Sequence, residues 1–305
     1  MANLLKLSRE VVAKPLHEWQ SVAVELLGTQ TRIVQGKDYY HRVIECGTTG
    51  DPLILIHGVG GHAETYARNL HNLAKHFHVY ALDALYHGFS QKEPWDNARW
   101  IERQADALAD LVKALGHSWA HVEGESMGGE IAWFFGKRYP ELAGKLILNT
   151  GVPELNPKRK DFVENPGGGD TLQELSTRSI MEPSFETMKA RMQWLVADPA
   201  RMTDEMVNIR LRLYSFPEVF ASIKRVYTVG WSEVPRLEEE ELADFKPESL
   251  VFWTEKNPGQ GPDFGQYVSE LIPRAKFYNM LDAAHWPQWE KPEEHDQVLI
   301  DFIKG

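Results

Sequence analysis

The chain has 305 residues, 43% hydrophobic and 25% charged, enough to bury a sizeable core and to exclude a wholly disordered chain. A formal net charge of −11 and a pI of about 5.6 repel phosphate backbones and argue against nucleic-acid binding, although one buried arginine can reverse the field locally for a small anion. The single cysteine, Cys46, excludes an intrachain disulfide, and its place in a strand-like run makes it a small core residue rather than a nucleophile.

Residues 1–28 read as one or two short amphipathic helices ending at Gly28, which pack either on the core or on a second subunit. Lys6, Arg9, Glu10 and Lys14 interrupt any signal-peptide core, and no run approaches the roughly 18 apolar residues of a membrane span, so a cytoplasmic protein is expected. Strands are predicted over Thr31–Tyr40, with a turn near Gly36, and over His41–Cys46. Pro52–Ile56 is a short apolar run of the kind buried on both faces of a parallel sheet. A helix over Ala63–His76, a strand at Val79–Leu82, a helix over Ile101–Leu115, a strand at Ala120–Gly124, a helix over Gly128–Arg138 and a strand at Lys145–Asn149 follow. This alternation predicts an α/β, doubly wound, mostly parallel sheet.

The rhythm breaks at Gly151. Helical patterns over Ser184–Ala197, Thr203–Tyr214 and Pro217–Tyr227, with no buried strand among them, predict a helical cap over 151–241 inserted into a core of 29–150 and 242–305. The glycine run at 167–169 lacks a phosphate-loop ending and reads as a hinge. A strand at Ser249–Trp253, a helix over Phe264–Leu271, a strand at Ala275–Tyr278 and a helix over Glu293–Ile303 complete the core.

Gly124-Glu125-Ser126-Met127-Gly128 lies between a predicted strand and a helix, the setting of a nucleophile elbow, and makes Ser126 the candidate nucleophile. His57-Gly58-Val59-Gly60-Gly61 follows a strand, so its backbone N–H groups can face the site; Val59 with Met127 is the candidate oxyanion pair, and Gly58 a substrate contact. His285, late in the chain after a strand, is the candidate base. The acid belongs in the loop after Ser249–Trp253, where Glu255 and Asp263 are the available carboxylates and rank nearly equal. These motifs require no cofactor and no metal.

Together, His57-Gly58, Asp83-Ala84-Leu85-Tyr86-His87-Gly88-Phe89-Ser90, Gly124 to Gly129 and His285-Trp286 resemble the α/β-hydrolase superfamily. Within it the chain is similar to the meta-cleavage-product hydrolases, which split C–C bonds in vinylogous 1,5-diketones from aromatic degradation. Glu182-Pro183-Ser184, the stretch from Asp198 to Arg210, and His285-Trp286-Pro287-Gln288-Trp289-Glu290 carry that likeness. The resemblance implies that Arg210 binds a substrate carboxylate. Two positions depart from it: Glu125 stands where the family has Asn, and Asn257 stands about where it has the triad Asp. As an amide, Asn257 can orient His285 but stabilises an imidazolium less well.

A serine hydrolase of hydrophobic, aromatic-derived carbonyl substrates is therefore expected, with a carboxylesterase or amide hydrolase as the alternative enzyme and a ligand receptor on a hydrolase fold as the alternative of another class. Trp133, Trp194, Phe216, Trp286 and Trp289 are expected at or near the cleft. The partner is a small molecule rather than nucleic acid or membrane, and a homo-oligomer is left open.

Overall fold

The structure, a computed structural model, describes residues 21–159, 162 and 169–305. Most of the predicted N-terminal extension, and Gly167 and Gly168 of the glycine run, lie outside the described residues.

Eight strands form one sheet: β1 (Gln30–Gln35), β2 (Tyr40–Cys46), β3 (Asp51–Ile56), β4 (Phe77–Leu82), β5 (Ala120–Glu125), β6 (Ala143–Asn149), β7 (Ser249–Thr254) and β8 (Ala275–Met280), in the order β1-β2-β4-β3-β5-β6-β7-β8. β1 with β2 and β2 with β4 are antiparallel; every other pair is parallel. The apolar runs are buried because helices cover both faces: every residue of β5 and of β7 is buried. The main covering helices are α1 (Trp100–Ala114), α2 (Met127–Arg138), α7 (Pro262–Leu271) and, after the one-turn α8 (Pro287–Glu290), α9 (Pro292–Lys304). Register sets Ile56 at the end of β3 beside Gly124 in β5, so the loops after those strands emerge together at the carboxyl edge of the sheet.

Among the described residues, 151–241 add no strand to this sheet. They carry α3 (Gly169–Met181), α4 (Phe185–Gln193), α5 (Asp204–Tyr214) and α6 (Pro217–Thr228). Two short strands, Leu155–Asn156 and Leu237–Glu238, pair in parallel and bring the two ends of the segment together. α4 starts on a reciprocal cap, with Thr187 N–H donating to Ser184 Oγ and Ser184 N–H donating to Thr187 Oγ1. α3 was not foreseen.

The expected helix over Ala63–His76 is instead a 3₁₀ turn at Ala63–Tyr66 followed by one helical turn at Leu70–Leu73. Its apolar residues are buried at helical spacing, yet Arg68 and Asn69 are drawn into tertiary contacts. Arg68 donates to the Trp289 carbonyl and Asn69 to Asp296. Trp133 and Trp289 are core residues: Trp133 stacks on Phe245, and Trp289 packs under Arg68. Among the described residues no helix is long and apolar enough to cross a membrane.

Candidate active site

Ser126 sits between β5 and α2 with φ 56° and ψ −120°, a strained conformation for a residue bearing a Cβ. Close backbone packing imposes it. A Cβ on Gly124 would lie 1.8 Å from the Gly128 carbonyl oxygen, and one on Gly151 would lie 2.0 Å from the Ser126 carbonyl oxygen. The elbow therefore depends on Gly151 as well as on the glycines of the motif itself. Met127 opens α2, where backbone N–H groups lack intrahelical partners.

His57 builds the neighbouring loop. It is buried, its Nε2 accepts from the Ala84 N–H at 3.0 Å, and its Nδ1 therefore donates to the Gly58 carbonyl at 2.7 Å. Burial lowers its pKa to about 3 and keeps it neutral. Asp83 acts as scaffold as well, accepting from the N–H groups of Ala63 and Phe89 and pairing with Arg42. Two tyrosines of the helical segment clasp the loop: Tyr214 donates to the Gly60 carbonyl at 3.1 Å and Tyr227 to the Val59 carbonyl at 3.2 Å.

His285 follows β8. Its Nδ1 lies 2.7 Å from Oδ1 of Asn257, whose Nδ2 donates to the Gln260 carbonyl at 2.7 Å. That second bond orients the amide with its oxygen toward the ring, so Nδ1 carries the hydrogen and Nε2 the lone pair. Neither carboxylate weighed for the acid reaches the ring. Exposed Glu255 turns back to accept from the Asp282 N–H, and Asp263 is exposed in the first turn of α7. The Pro/Gly-rich loop bends so that Asn257 faces His285, because Asn257 and the Trp253 indole both donate to the Gln260 carbonyl.

The carboxyl in contact with His285 is Glu125. It is 1% exposed; its Oε2 accepts from the Gly58 N–H at 2.6 Å, and its Oε1 lies 3.3 Å from His285 Nε2. Burial raises Glu125 to about 8. Burial, with Arg191 nearby, lowers His285 to about 3. Among the described residues no hydrogen bond joins Ser126 Oγ to His285; Nε2 faces Glu125.

Ser126, Glu125, Gly58, Val59, His285 and Trp286 border a small cavity of about 10 Å³, closed from the helical segment by Arg191 and Leu195. Arg210 on α5 is 2% exposed, its guanidinium lies 5.2 Å from the Trp286 ring centre, and its Nε and Nη2 have no hydrogen-bond partner among the described residues. Arg191 on α4 is also buried, with Nε donating to Ser176 at 2.8 Å and Nη1 unpartnered among the described residues. Sequence reasoning missed Arg191, since nothing in the sequence separates a helix arginine that turns inward from one in water.

The run from His285 to Glu290 fastens the histidine loop to the helical segment. Glu290 accepts from the N–H groups of Ala284 and Ala197 and from Arg201, Trp289 donates to the Arg201 carbonyl, and Trp286 N–H donates to the Leu195 carbonyl. Trp194 stands 6.2 Å from the His285 ring, whereas Phe216 packs on Phe89.

Known proteins share the sequence pattern and the fold of this chain. The sequence model described as the alpha/beta hydrolase fold matches residues 51–292. A 2-hydroxy-6-oxo-6-phenylhexa-2,4-dienoate hydrolase of Burkholderia cepacia is 28% identical over 267 residues, covering 83% of this chain and 88% of the relative. A 2-hydroxy-6-oxononadienedioate/2-hydroxy-6-oxononatrienedioate hydrolase of Burkholderia vietnamiensis is 28% identical over 268 residues, covering 85% and 89%. The solved meta-cleavage product hydrolase of Pseudomonas fluorescens IP01 superimposes with a TM-score of 0.77 at 21% identity, over 90% of this chain and 97% of that one. With an eight-stranded, mostly parallel sheet flanked by helices and a family match spanning most of its length, the chain belongs to the alpha/beta hydrolase fold family.

Proposed function

We propose that this protein is a serine hydrolase that cleaves a C–C bond beside a carbonyl in an anionic dienoate of the meta-cleavage type. Ser126 is the nucleophile, His285 the base, and the N–H groups of Val59 and Met127 the oxyanion donors. The observation that carries the substrate class is Arg210: a buried guanidinium whose Nε and Nη2 find no partner among the described residues is costly unless a bound anion satisfies it. The relatives are named for substrates of this kind, 2-hydroxy-6-oxo dienoates, dienedioates and trienedioates.

In this reading 151–241 is a cap. A cavity of about 10 Å³ holds no more than a water-sized group, so the cap opens at Arg191 and Leu195 to admit a dienoate. Protonation at carbon turns the 2-hydroxy group into a ketone that can receive the departing electron pair; Ser126 attacks the 6-oxo carbonyl already present, and the oxyanion donors hold the resulting charge.

The test is one pair of substrates with two proteins. Wild type is expected to bleach a coloured 2-hydroxy-6-oxo-dienoate. Arg210→Ala is expected to raise KM for it by about 10- to 100-fold, the loss of a charge-assisted hydrogen bond, and to leave p-nitrophenyl acetate within about threefold. A dienoate left unbleached while the ester is turned over moves the reading to an ester hydrolase.

A further inference from the structure

The elbow carries a carboxyl where the resemblance predicts an amide, and the position facing Nδ1 carries an amide where it predicts a carboxylate. The two departures compensate each other in space. Because Asn257 takes the Nδ1 hydrogen, His285 presents a lone pair at Nε2. Gly58 N–H clamps Oε2 of Glu125, which leaves Oε1 buried, without a hydrogen-bond partner among the described residues and 3.3 Å from Nε2. An ionised Oε1 would set its own lone pairs against that of Nε2 in a buried site, an arrangement that favours the protonated carboxyl. We propose that Glu125 is a catalytic acid of this site: it gives its proton to the reacting atom of the substrate and then, as a carboxylate beside Nε2, holds the imidazolium that attack by Ser126 creates.

The proposal rests on the serine-hydrolase reading and adds the proton donor to it. On a dienolate, the Glu125 O–H bond breaks and a C–H bond forms, while the enolate pair closes to a carbonyl. Ser126 Oγ then bonds to the ketone carbon, its proton passing to Nε2 and the π pair to the carbonyl oxygen. Collapse of the adduct breaks the C–C bond, and the departing carbon takes the imidazolium proton. Water hydrolyses the acyl-serine through His285, and ionisation of the acid product restores the proton of Glu125.

The surroundings favour a neutral resting carboxyl. Burial and Glu123 on β5 raise the pKa of Glu125, while the Gly58 N–H, Arg210 on α5 and Arg191 on α4 lower it, and burial prevails, leaving it at about 8. Tyr66 faces the same carboxyl and is itself pushed well up, first by burial and then by Glu123 and Glu125, so it stays neutral. His285 is lowered, which keeps the proton on the acid.

Glu125→Gln preserves the shape and the acceptor for Gly58 N–H but carries no acidic proton. It is expected to lower kcat for the dienoate about 10²-fold or more with KM within about threefold, and to abolish the basic limb near pH 8 in the kcat profile. Asn257→Asp in the Glu125→Gln background is expected to recover at least about tenfold, since an orienting carboxylate then stabilises the imidazolium from Nδ1. A kcat within threefold of wild type, a retained basic limb, or a double variant no better than the single one overturns the proposal. Infrared spectra of the substrate-free protein give a readout independent of turnover: a protonated-carboxyl band at pH 7, lost in Glu125→Gln, is expected, and its absence overturns the proposal even if the enzyme proves a serine hydrolase. Loss of the serine-hydrolase reading itself shows separately, as a wild type that turns over neither substrate.

Discussion

Ser126→Ala is expected to lower kcat by about 10⁴-fold or more for any substrate the protein turns over, with KM little changed. The side chain lost is one oxygen, held by backbone geometry rather than by its own contacts. The positive φ and the close approach of Gly151 remain, so alanine inherits the elbow without a new clash. Thr150, the other hydroxyl held at positive φ on this edge (45°), is committed to donating to the His285 carbonyl at 3.0 Å. In the proposed reading binding rests on Arg210, Arg191 and Trp286, which the substitution does not touch. Single-turnover kinetics should show loss of the acyl-forming phase while an anionic dienoate still binds. Activity within tenfold of wild type would remove Ser126 from the chemistry and, with it, the hydrolase reading.

The largest expected effect on stability lies behind the site. His295 on α9 is wholly buried between two carboxylates, with Nε2 2.8 Å from Glu123 and Nδ1 3.1 Å from Asp296. Asn149 donates to Glu123 at 2.8 Å, and Asn69 donates to Asp296 at 2.8 Å and to the Gln288 carbonyl at 3.1 Å. This network ties β5, β6 and α9 beneath the His285 loop. Removing the one cation leaves two buried carboxyls without it. His295→Ala is therefore expected to cost about 3–5 kcal/mol, measured as a lower denaturant midpoint at unchanged slope; a loss below about 1 kcal/mol would refute the account.

The sign of its pH dependence follows. Burial alone would lower His295, but Glu123 and Asp296 outweigh it and hold the group at about 9, above the value near 6.5 of an unfolded chain. The folded state thus binds the extra proton between those values. The stability due to this histidine is fully present below about pH 6.5 and is lost as pH rises through 9. In His295→Ala that slope should flatten.

The strands were legible because a strand covered on both faces must be apolar throughout: Pro52–Ile56, Ala120–Gly124 and Ser249–Trp253 carry that signature without reference to partners. The turn that carries Ser126 was legible for a related reason. A side chain held on so tight a strand-to-helix turn needs small neighbours at fixed offsets, so Gly124 and Gly128 mark it locally. What only the tertiary structure decided depends on long-range closure. Which residue meets Nδ1 was set by how the loop from Glu255 to Gly261 folds around the Gln260 carbonyl, and the outcome, Asn257, could not be ranked from the spacing of Glu255 and Asp263. Arg191 turns inward because Ser176, on another helix, receives it. Glu125 is in plain view as a departure within the elbow, yet its state is a property of burial. Its chemistry depends on the Gly58 N–H, the lone pair of His285 and two guanidiniums converging from four separate parts of the chain, and no local pattern in a sequence records the low dielectric they share.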